Sequence, residues 1–147
     1  MATKTKKGPM ISISIDLPEQ RVRDLLNCAF NDTRSWFVID SVTIPAGRKR
    51  EDYEPGGKFY PKDAPGYHEY SEIVPFCKGG KVIIEDKERR RGEKKFYTID
   101  HQAILRGLAL MPTLCPNGFG QFMEGNEDSL TGYNFIQLCV FGELRYG

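Results

Sequence analysis

Two runs of basic side chains are the residues of this sequence best suited to bind phosphate. Arginine and lysine form charge-assisted hydrogen bonds with phosphate oxygens, and tyrosines beside arginines are typical of binding surfaces. Nearby acids such as Glu51 and Glu88 reduce the charge of both runs, so a pair of solvated turns is the alternative interpretation. The candidate residues for binding a ligand or partner are Arg48, Lys49, Arg50, Tyr53, Tyr60, Tyr67, Arg89, Arg90 and Arg91.

Residue types that commonly do catalytic or metal chemistry are sparse. The two histidines, His68 and His101, lack the i, i+4 spacing of a helical zinc site. The four cysteines are far apart, without a Cys-x-x-Cys pair, and their apolar neighbours indicate small buried side chains. Neither a phosphate-binding glycine loop nor a Gly-x-Ser-x-Gly frame is present. The sequence therefore favours a protein that is not an enzyme and has neither a cofactor nor a metal.

Length and charge define the general class of protein. The chain has 147 residues, of which 39% are hydrophobic and 28% charged, and its formal net charge is +1. These values predict a single globular domain without the strong field that attracts a protein to nucleic acid or to an anionic membrane. No stretch is long and apolar enough to span a bilayer, and no signal peptide is evident. We therefore expect a cytoplasmic protein that has no membrane partner.

The N-terminal half is predicted to begin with a flexible arm and then to alternate strand and helix. Residues 1–9 are polar and basic, as in a disordered arm, so the single domain is expected at 10–147. Alternating apolar residues predict a strand at 10–17, and an apolar stripe at helical spacing predicts a helix at 18–31. A second strand is expected at 36–44. Residues 45–68, rich in proline, glycine and tyrosine, predict a long loop.

The second half is predicted to contain a β meander followed by two helices. Strands are expected at 72–77 and 81–86, around a Gly79-Gly80 turn, and at 94–99. Asp100 begins a helix that Pro112 ends, and a loop leads to a last helix that starts at Asp128 or Ser129. The expected fold class is therefore α+β, with a largely antiparallel β-sheet packed against two to three helices.

The last predicted helix is apolar on more than one face. A helix that is apolar all round is typical of a central core element. The alternative is that its excess apolar surface forms a homo-oligomer interface. For that alternative the candidate interface residues are Tyr133, Phe135 and Phe141.

The C-terminal half, roughly residues 72–147, resembles a family of small uncharacterised proteins of bacteriophages and prophages. The resemblance is carried by the following segments: Arg106-Gly107-Leu108-Ala109-Leu110-Met111, Asp128-Ser129-Leu130-Thr131-Gly132, Phe135-Ile136-Gln137 and Phe141-Gly142-Glu143-Leu144-Arg145-Tyr146-Gly147. The Gly79-Gly80 turn also has a counterpart in that family. The sequence departs from the pattern at Gly118 and Gln121, and at Tyr133 where an acidic residue would be similar. The resemblance implies a phage context and carries no established activity.

Three hypotheses of function follow from these observations. The first is a phage or mobile-element accessory protein that acts by binding in the bacterial cytoplasm, inhibiting a host defence system by sequestering a protein or a signalling nucleotide. The second is a nucleic-acid-binding protein of phage DNA metabolism that uses the same basic turns. The third is a small metal-dependent hydrolase or nuclease that uses His68, His101 and nearby carboxylates such as Glu69.

Overall fold

A three-stranded antiparallel sheet and a layer of helices make up the fold. The computed structural model describes residues 12–32, 34–66, 68–88 and 92–147. The helices and strands are α1 (Glu19–Phe30), β1 (Phe37–Thr43), α2 (Tyr70–Ile73), β2 (Lys81–Asp86), β3 (Phe96–Ile99), α3 (His101–Leu114), α4 (Pro116–Glu124) and α5 (Ser129–Phe141). Two 3-10 turns, Arg50–Tyr53 and Val74–Phe76, lie in the connection between β1 and β2. The expected α+β class is confirmed.

The sheet has the strand order β1–β2–β3. Ile84 of β2 pairs with Ile39 on one side and with Tyr97 on the other. Along β2 the side chains alternate, and Val82, Ile84 and Asp86 are buried on the face that the helices cover. Alternation of this kind is expected of a sheet with one covered face.

Aspartate residues cap the N-termini of two helices at the positions that the sequence predicts. The Asp100 carboxylate accepts a 2.9 Å hydrogen bond from the Ala103 N–H. The Asp128 carboxylate accepts one of the same length from the Thr131 N–H. Each bond satisfies an N–H that has no partner within its helix. The predicted starts of α3 and α5 are therefore confirmed.

Helix α5 is the centre of the core. Phe135, Ile136, Leu138 and Cys139 are each 0% exposed, although they point in different directions around the helix. Helices α1 and α3 both pack on α5, and the sheet contacts its C-terminal part through Tyr97 and Phe141. The apolar circumference of this helix is thus explained by burial within the chain itself.

Glycine at position 132 lets α1 approach α5 very closely. A Cβ atom built on Gly132 would lie 2.6 Å from the backbone nitrogen of Ala29 and 2.9 Å from its Cβ. These distances are shorter than real Cβ contacts, so a larger residue requires the two helices to separate. The glycine is therefore part of the α1–α5 interface.

Four predictions of secondary structure are wrong, including that of a loop where α4 (Pro116–Glu124) lies. Residues 12–18 form no strand with any other described residue, while Met10 and Ile11 lie outside the described residues. Residues 72–76 of the strand predicted at 72–77 are helical. A short apolar run does not distinguish strand from helix, and Pro75 fits the start of a 3-10 turn. The chain also remains helical past Pro112 to Leu114, and Pro116 then occupies the first turn of α4.

The long connection at 45–68 is mostly irregular, as predicted, and a small second core holds it. Tyr53, Ile73 and Val74 are almost completely buried together, and Phe59 and Tyr60 pack around them. The predicted basic arm at 1–9 lies outside the described residues. Among the described residues, no helix combines the length and apolar character needed to cross a membrane.

Candidate ligand-binding cleft

The first basic run lies on an exposed turn, and its side chains contact neighbouring rings and acids. The guanidinium of Arg48 lies 3.9 Å from the centroid of the Phe59 ring and donates a 2.8 Å hydrogen bond to the Tyr53 hydroxyl. Arg50 is 2.7 Å from the Glu54 carboxylate, and its guanidinium is 4.4 Å from the centroid of the Tyr70 ring. Lys49 is exposed between them. The turn is basic and exposed, and its two arginines contact aromatic rings, a hydroxyl and a carboxylate.

The tyrosines predicted beside this run mainly hold the connection together. Tyr53 is 0% exposed, so it can present no face to a ligand. The Tyr60 hydroxyl donates a hydrogen bond to the carbonyl oxygen of Pro65. Tyr67 and the second basic run, Arg89, Arg90 and Arg91, lie outside the described residues. The cavity of about 340 Å³ next to Arg50 is also lined by Glu54 and Glu69, whose charges oppose the binding of an anion.

The two histidines have separate surroundings. His68 is buried, and its Nε2 atom lies 3.0 Å from the Asp24 carboxylate, while burial lowers its pKa. The His101 ring lies beside Phe76, with the ring centroids 6.2 Å apart. Within the ranges the structure describes, no three His, Cys, Asp or Glu side chains are placed to hold a metal ion.

The buried carboxyl group of Glu72 is expected to make the stability of the protein depend on pH. Glu72 is 0% exposed, and its oxygens accept hydrogen bonds of 2.6 Å from Asn27 and 3.0 Å from Ser71. Burial is the largest influence and raises the pKa of Glu72, and the like charge of Glu69 acts in the same direction. The native state therefore holds this proton more tightly than the unfolded chain does.

Stability from Glu72 is expected to be fully present below the usual carboxyl pKa of 4.5 and to be lost as pH rises through the raised value. Glu72→Gln removes the titrating proton and should flatten the fall in unfolding free energy above that pH. Denaturant titrations across a pH series measure this pH dependence of the unfolding free energy. Glu51→Gln is the matched control, because Glu51 is exposed. An unchanged pH dependence in Glu72→Gln would contradict the assignment.

The predicted oligomer-interface residues lie mainly inside the protein. Phe135 is 0% exposed and offers no surface to another chain. Phe141 packs within an aromatic cluster. Its ring centroid lies 5.1 Å from that of Trp36 and 4.9 Å from that of Tyr97. Tyr133 is half-buried and lines a cleft. Of the three, Tyr133 is therefore the residue placed to contact a ligand.

That cleft, which we call the tail cleft, lies between α5, the start of β1 and the C-terminal residues 142–147. Its volume is about 360 Å³, within the range of roughly 300–1,000 Å³ that is usual for ligand sites. Among its lining residues are Arg34, Trp36, Tyr133, Asn134, Arg145 and Tyr146. Aromatic rings, amides and guanidinium groups thus meet at one concave surface.

Aromatic rings packed against one another at tilted angles form one wall of the tail cleft. Trp36 is buried, and its ring centroid lies 5.4 Å from that of Tyr146. Its indole N–H donates a 3.2 Å hydrogen bond to the Tyr133 carbonyl oxygen, which ties the start of β1 to α5. Because each ring is fixed by another ring or by a hydrogen bond, the wall is preorganised.

A single buried amide holds the C-terminal residues against α5. The Oε1 atom of Gln137 accepts hydrogen bonds of 2.7 Å from the Arg145 N–H and 2.8 Å from the Tyr146 N–H. Its Nε2 atom donates a 3.1 Å hydrogen bond to the Tyr146 carbonyl oxygen. Gln137 thereby places Arg145 and Tyr146 at the cleft.

The Tyr146 side chain has a fixed position as well. Its hydroxyl donates a 2.5 Å hydrogen bond to the buried Asp86 carboxylate. Burial and this hydrogen bond raise the pKa of Tyr146 to about 12, so the hydroxyl is protonated at neutral pH. Tyr146 therefore contributes a neutral ring to the tail cleft.

Two arginines supply positive charge to the tail cleft, and carboxylates orient both of them. Arg34 forms a bidentate pair with Asp32, with distances of 3.1 and 3.0 Å, and this pairing holds the pKa of Asp32 well below its usual range. Arg145 is 2.9 Å from Glu143 and stacks on Phe141. In neither arginine does the NH1 group bond to another described residue. These donors are available to an anion.

Other polar groups and a second cavity extend the tail cleft. The Tyr133 hydroxyl interacts with the Asp32 carboxylate, and Asn134 lies one residue along α5. Glu88 adds a carboxylate to the lining. A neighbouring cavity of about 370 Å³ shares Leu130 and Asn134 with the cleft. The concave surface therefore continues along α5 towards α4.

Most residues of the tail cleft are not among those that the sequence singled out. Arg34 and Arg145 are isolated arginines, and a search for basic runs passes over both. Trp36 lies in a predicted strand, where an aromatic side chain indicates packing. The available indication was the resemblance, whose segments include Gln137, Arg145 and Tyr146. The chain was compared with protein-family models, with curated proteins and with solved structures, and none of the three comparisons gave a match.

Proposed function

We propose that this protein acts by binding a nucleotide, a small anionic ligand with an aromatic ring, in the tail cleft. The observation that carries the proposal is the position of Arg34 and Arg145, each with unused donors, beside a preorganised aromatic wall in a cavity of about 360 Å³. No other cavity described above combines two arginines with a wall of packed aromatic rings. The proposal needs no catalytic residue.

The chemistry of the tail cleft fits a nucleotide in two ways. Guanidinium groups bind phosphate through two parallel hydrogen bonds, which gives both affinity and orientation. Aromatic side chains stack on nucleobases, and amides such as that of Asn134 bind base edges. The volume of the cleft suits a mononucleotide, and the adjoining cavity gives room for a larger ligand.

The biological setting that we propose rests on the resemblance of the C-terminal half to phage and prophage proteins. In this setting the protein is an accessory protein of a phage or mobile element, and it acts in the cytoplasm of the bacterial host. Sequestering a signalling nucleotide would inhibit a host defence system that depends on it. Binding alone is sufficient for that role.

Replacing either arginine of the tail cleft with alanine is expected to weaken nucleotide binding about tenfold, because each removes charge-assisted hydrogen bonds to phosphate. Calorimetric titration with mononucleotides, cyclic dinucleotides and inorganic phosphate measures the affinities. Glu88→Ala should strengthen binding, since it removes a like charge from the lining. Arg50→Ala is the matched control, because Arg50 is exposed and lies outside the tail cleft.

Adding Arg48→Ala to these variants distinguishes the tail cleft from a second candidate, nucleic-acid binding at the exposed basic turn. That candidate is favoured by Arg48 and Lys58, which lie 3.9 Å and 5.4 Å from the centroid of the Phe59 ring. If single-stranded nucleic acid binds with steep salt dependence, and Arg48→Ala weakens it while Arg34→Ala does not, the basic turn is the site. Nucleotide binding that is unchanged in Arg34→Ala and Arg145→Ala would overturn the first proposal.

A further inference from the structure

The cavity next to the tail cleft has a lining of its own, and we call it the amide cavity. It lies between the start of α4, the first half of α5 and Leu144, and its volume is about 370 Å³. Leu130 and Asn134 line both cavities. A ligand that fills both must therefore pass these two side chains.

The lining of the amide cavity is polar but uncharged. None of the described residues that line it is a lysine, arginine, aspartate or glutamate. Its polar side chains are the amides of Asn117, Gln121 and Asn134 and the hydroxyl of Thr131. Phosphate groups bind most strongly to charged donors, so they belong with the arginines of the tail cleft. The amide cavity suits an uncharged group that both donates and accepts hydrogen bonds.

Contacts within the protein hold the polar groups of the amide cavity in place. The Thr131 hydroxyl is 3.0 Å from the Oε1 atom of Gln121, and the Asn134 amide donates a weak 3.9 Å hydrogen bond to the Cys115 sulfur. A Cβ atom built on Gly118 would lie 2.7 Å from the same sulfur, so the first turn of α4 packs directly on Cys115. The cavity is therefore preorganised, which lowers the cost of binding.

Three exposed leucines complete the amide cavity. Leu114, Leu130 and Leu144 all line it, and an apolar surface that covers them removes them from water. A group that presents apolar faces to leucines and a hydrogen-bonding edge to amides is flat and has polar edges. Nucleobases have this chemistry, and amide side chains bind their edges.

We propose that the ligand of this protein is a dinucleotide whose second base binds in the amide cavity. The inference rests on the proposed function, because the first base and the phosphates occupy the tail cleft. Leu144 lines the amide cavity, and the next residue, Arg145, lines the tail cleft. The lining thus changes from uncharged to basic within one residue. A phosphodiester between two bases has its groups in the matching order.

Calorimetric titration of the full chain with two related ligands tests the proposal. One is the linear dinucleotide ApA with a 5′-phosphate, and the other is adenosine 3′,5′-bisphosphate, which keeps the first nucleoside and both phosphate positions but lacks the second nucleoside. The dinucleotide is expected to bind at least tenfold more tightly, because only it reaches the amide cavity. The bisphosphate carries no less charge, so a preference for the dinucleotide cannot come from its phosphates.

Variants of the amide cavity locate the second base. Asn117→Trp fills the cavity from the exposed start of α4 and should abolish the preference for the dinucleotide while leaving the affinity for the bisphosphate unchanged. Gln121→Ala removes one amide without filling the cavity and should reduce the preference at least threefold. Asn126→Trp is the matched control, because Asn126 is exposed and lies outside both cavities. Circular dichroism verifies that each variant is folded.

The outcomes separate this inference from the proposed function. If both ligands bind equally well and Arg34→Ala and Arg145→Ala weaken both, the proposed function stands and the second-base site is refuted. A preference for the dinucleotide that neither Asn117→Trp nor Gln121→Ala reduces would also refute it, because the second base then binds elsewhere. If neither ligand binds, or if both arginine variants bind as the wild type does, the proposed function and this inference fail together.

Discussion

Trp36→Ala is expected to lower the free energy of unfolding by about 3 to 5 kcal/mol, the usual cost of removing a large buried aromatic side chain. Trp36 is 6% exposed and packs against Phe37, Phe141 and Tyr146. The substitution leaves a cavity between β1, α5 and the C-terminal residues. It also leaves the Tyr133 carbonyl oxygen without the indole N–H that it accepts from.

Denaturant unfolding followed by far-ultraviolet circular dichroism measures this change. Trp36→Phe is the matched control, because it keeps an aromatic ring in place and removes the hydrogen bond. Its expected cost is smaller, about 1 to 3 kcal/mol, from the lost bond and reduced volume. A loss of less than about 1 kcal/mol for Trp36→Ala would show that the aromatic cluster is not packed as described.

Gly132→Ala is expected to destabilise the protein by about 1 to 3 kcal/mol, although alanine favours helices over glycine by about 1 kcal/mol. The added Cβ would lie 2.6 Å from the backbone nitrogen of Ala29, so α1 must move away from α5. The backbone of a helix cannot rotate aside as a flexible side chain can. Packing therefore outweighs helix propensity at this position.

Gly120→Ala provides the opposite outcome from the same chemical change. Gly120 lies in α4, and a Cβ built there meets nothing within 4 Å. Only helix propensity acts at that position, so Gly120→Ala should stabilise the protein by up to about 1 kcal/mol. Thermal unfolding of the two variants side by side measures whether each substitution raises or lowers the stability. If both substitutions stabilised the protein, the close α1–α5 contact would be refuted.

The sequence predicted the elements whose pattern extends over several turns or ends at a clear signal. The apolar stripe of α1 and the aspartate caps of α3 and α5 are present in the structure. The strand predicted at 81–86 is present as β2, and its side chains alternate between buried and more exposed positions. Such patterns are local, because they depend on the period of one element and on the groups that end it.

Other elements depend on contacts that the sequence does not display. The apolar run around Val74 is compatible with a strand or a helix, and the burial of Val74 against Tyr53 favours the helical conformation that is observed. The alternating segment that begins at Ser12 would form a strand only beside an available edge. Pro116 lies in a segment whose composition is typical of a loop, yet proline also fits the first turn of a helix. In each case, tertiary neighbours determine the structure.

The tail cleft was the hardest part to predict, because its residues come from separate parts of the chain. Arg34 and Arg145 are more than a hundred positions apart in the sequence. They meet at one cleft because Trp36 packs against Tyr146 and because Gln137 binds the backbone of the C-terminal residues. The basic runs were more conspicuous, but the described one lies on an exposed turn outside the tail cleft.

Trp36 is the only tryptophan of the chain, and its position in the tail cleft makes it a built-in optical probe. Its indole ring contacts the Tyr146 ring and lines the proposed ligand site, so its fluorescence emission depends on whether the C-terminal residues are docked and whether the cleft is filled. Exposure to water shifts indole emission to longer wavelength, and a stacked nucleobase quenches it. Release of the C-terminal residues and binding of a nucleotide therefore produce different spectral changes in the unlabelled protein.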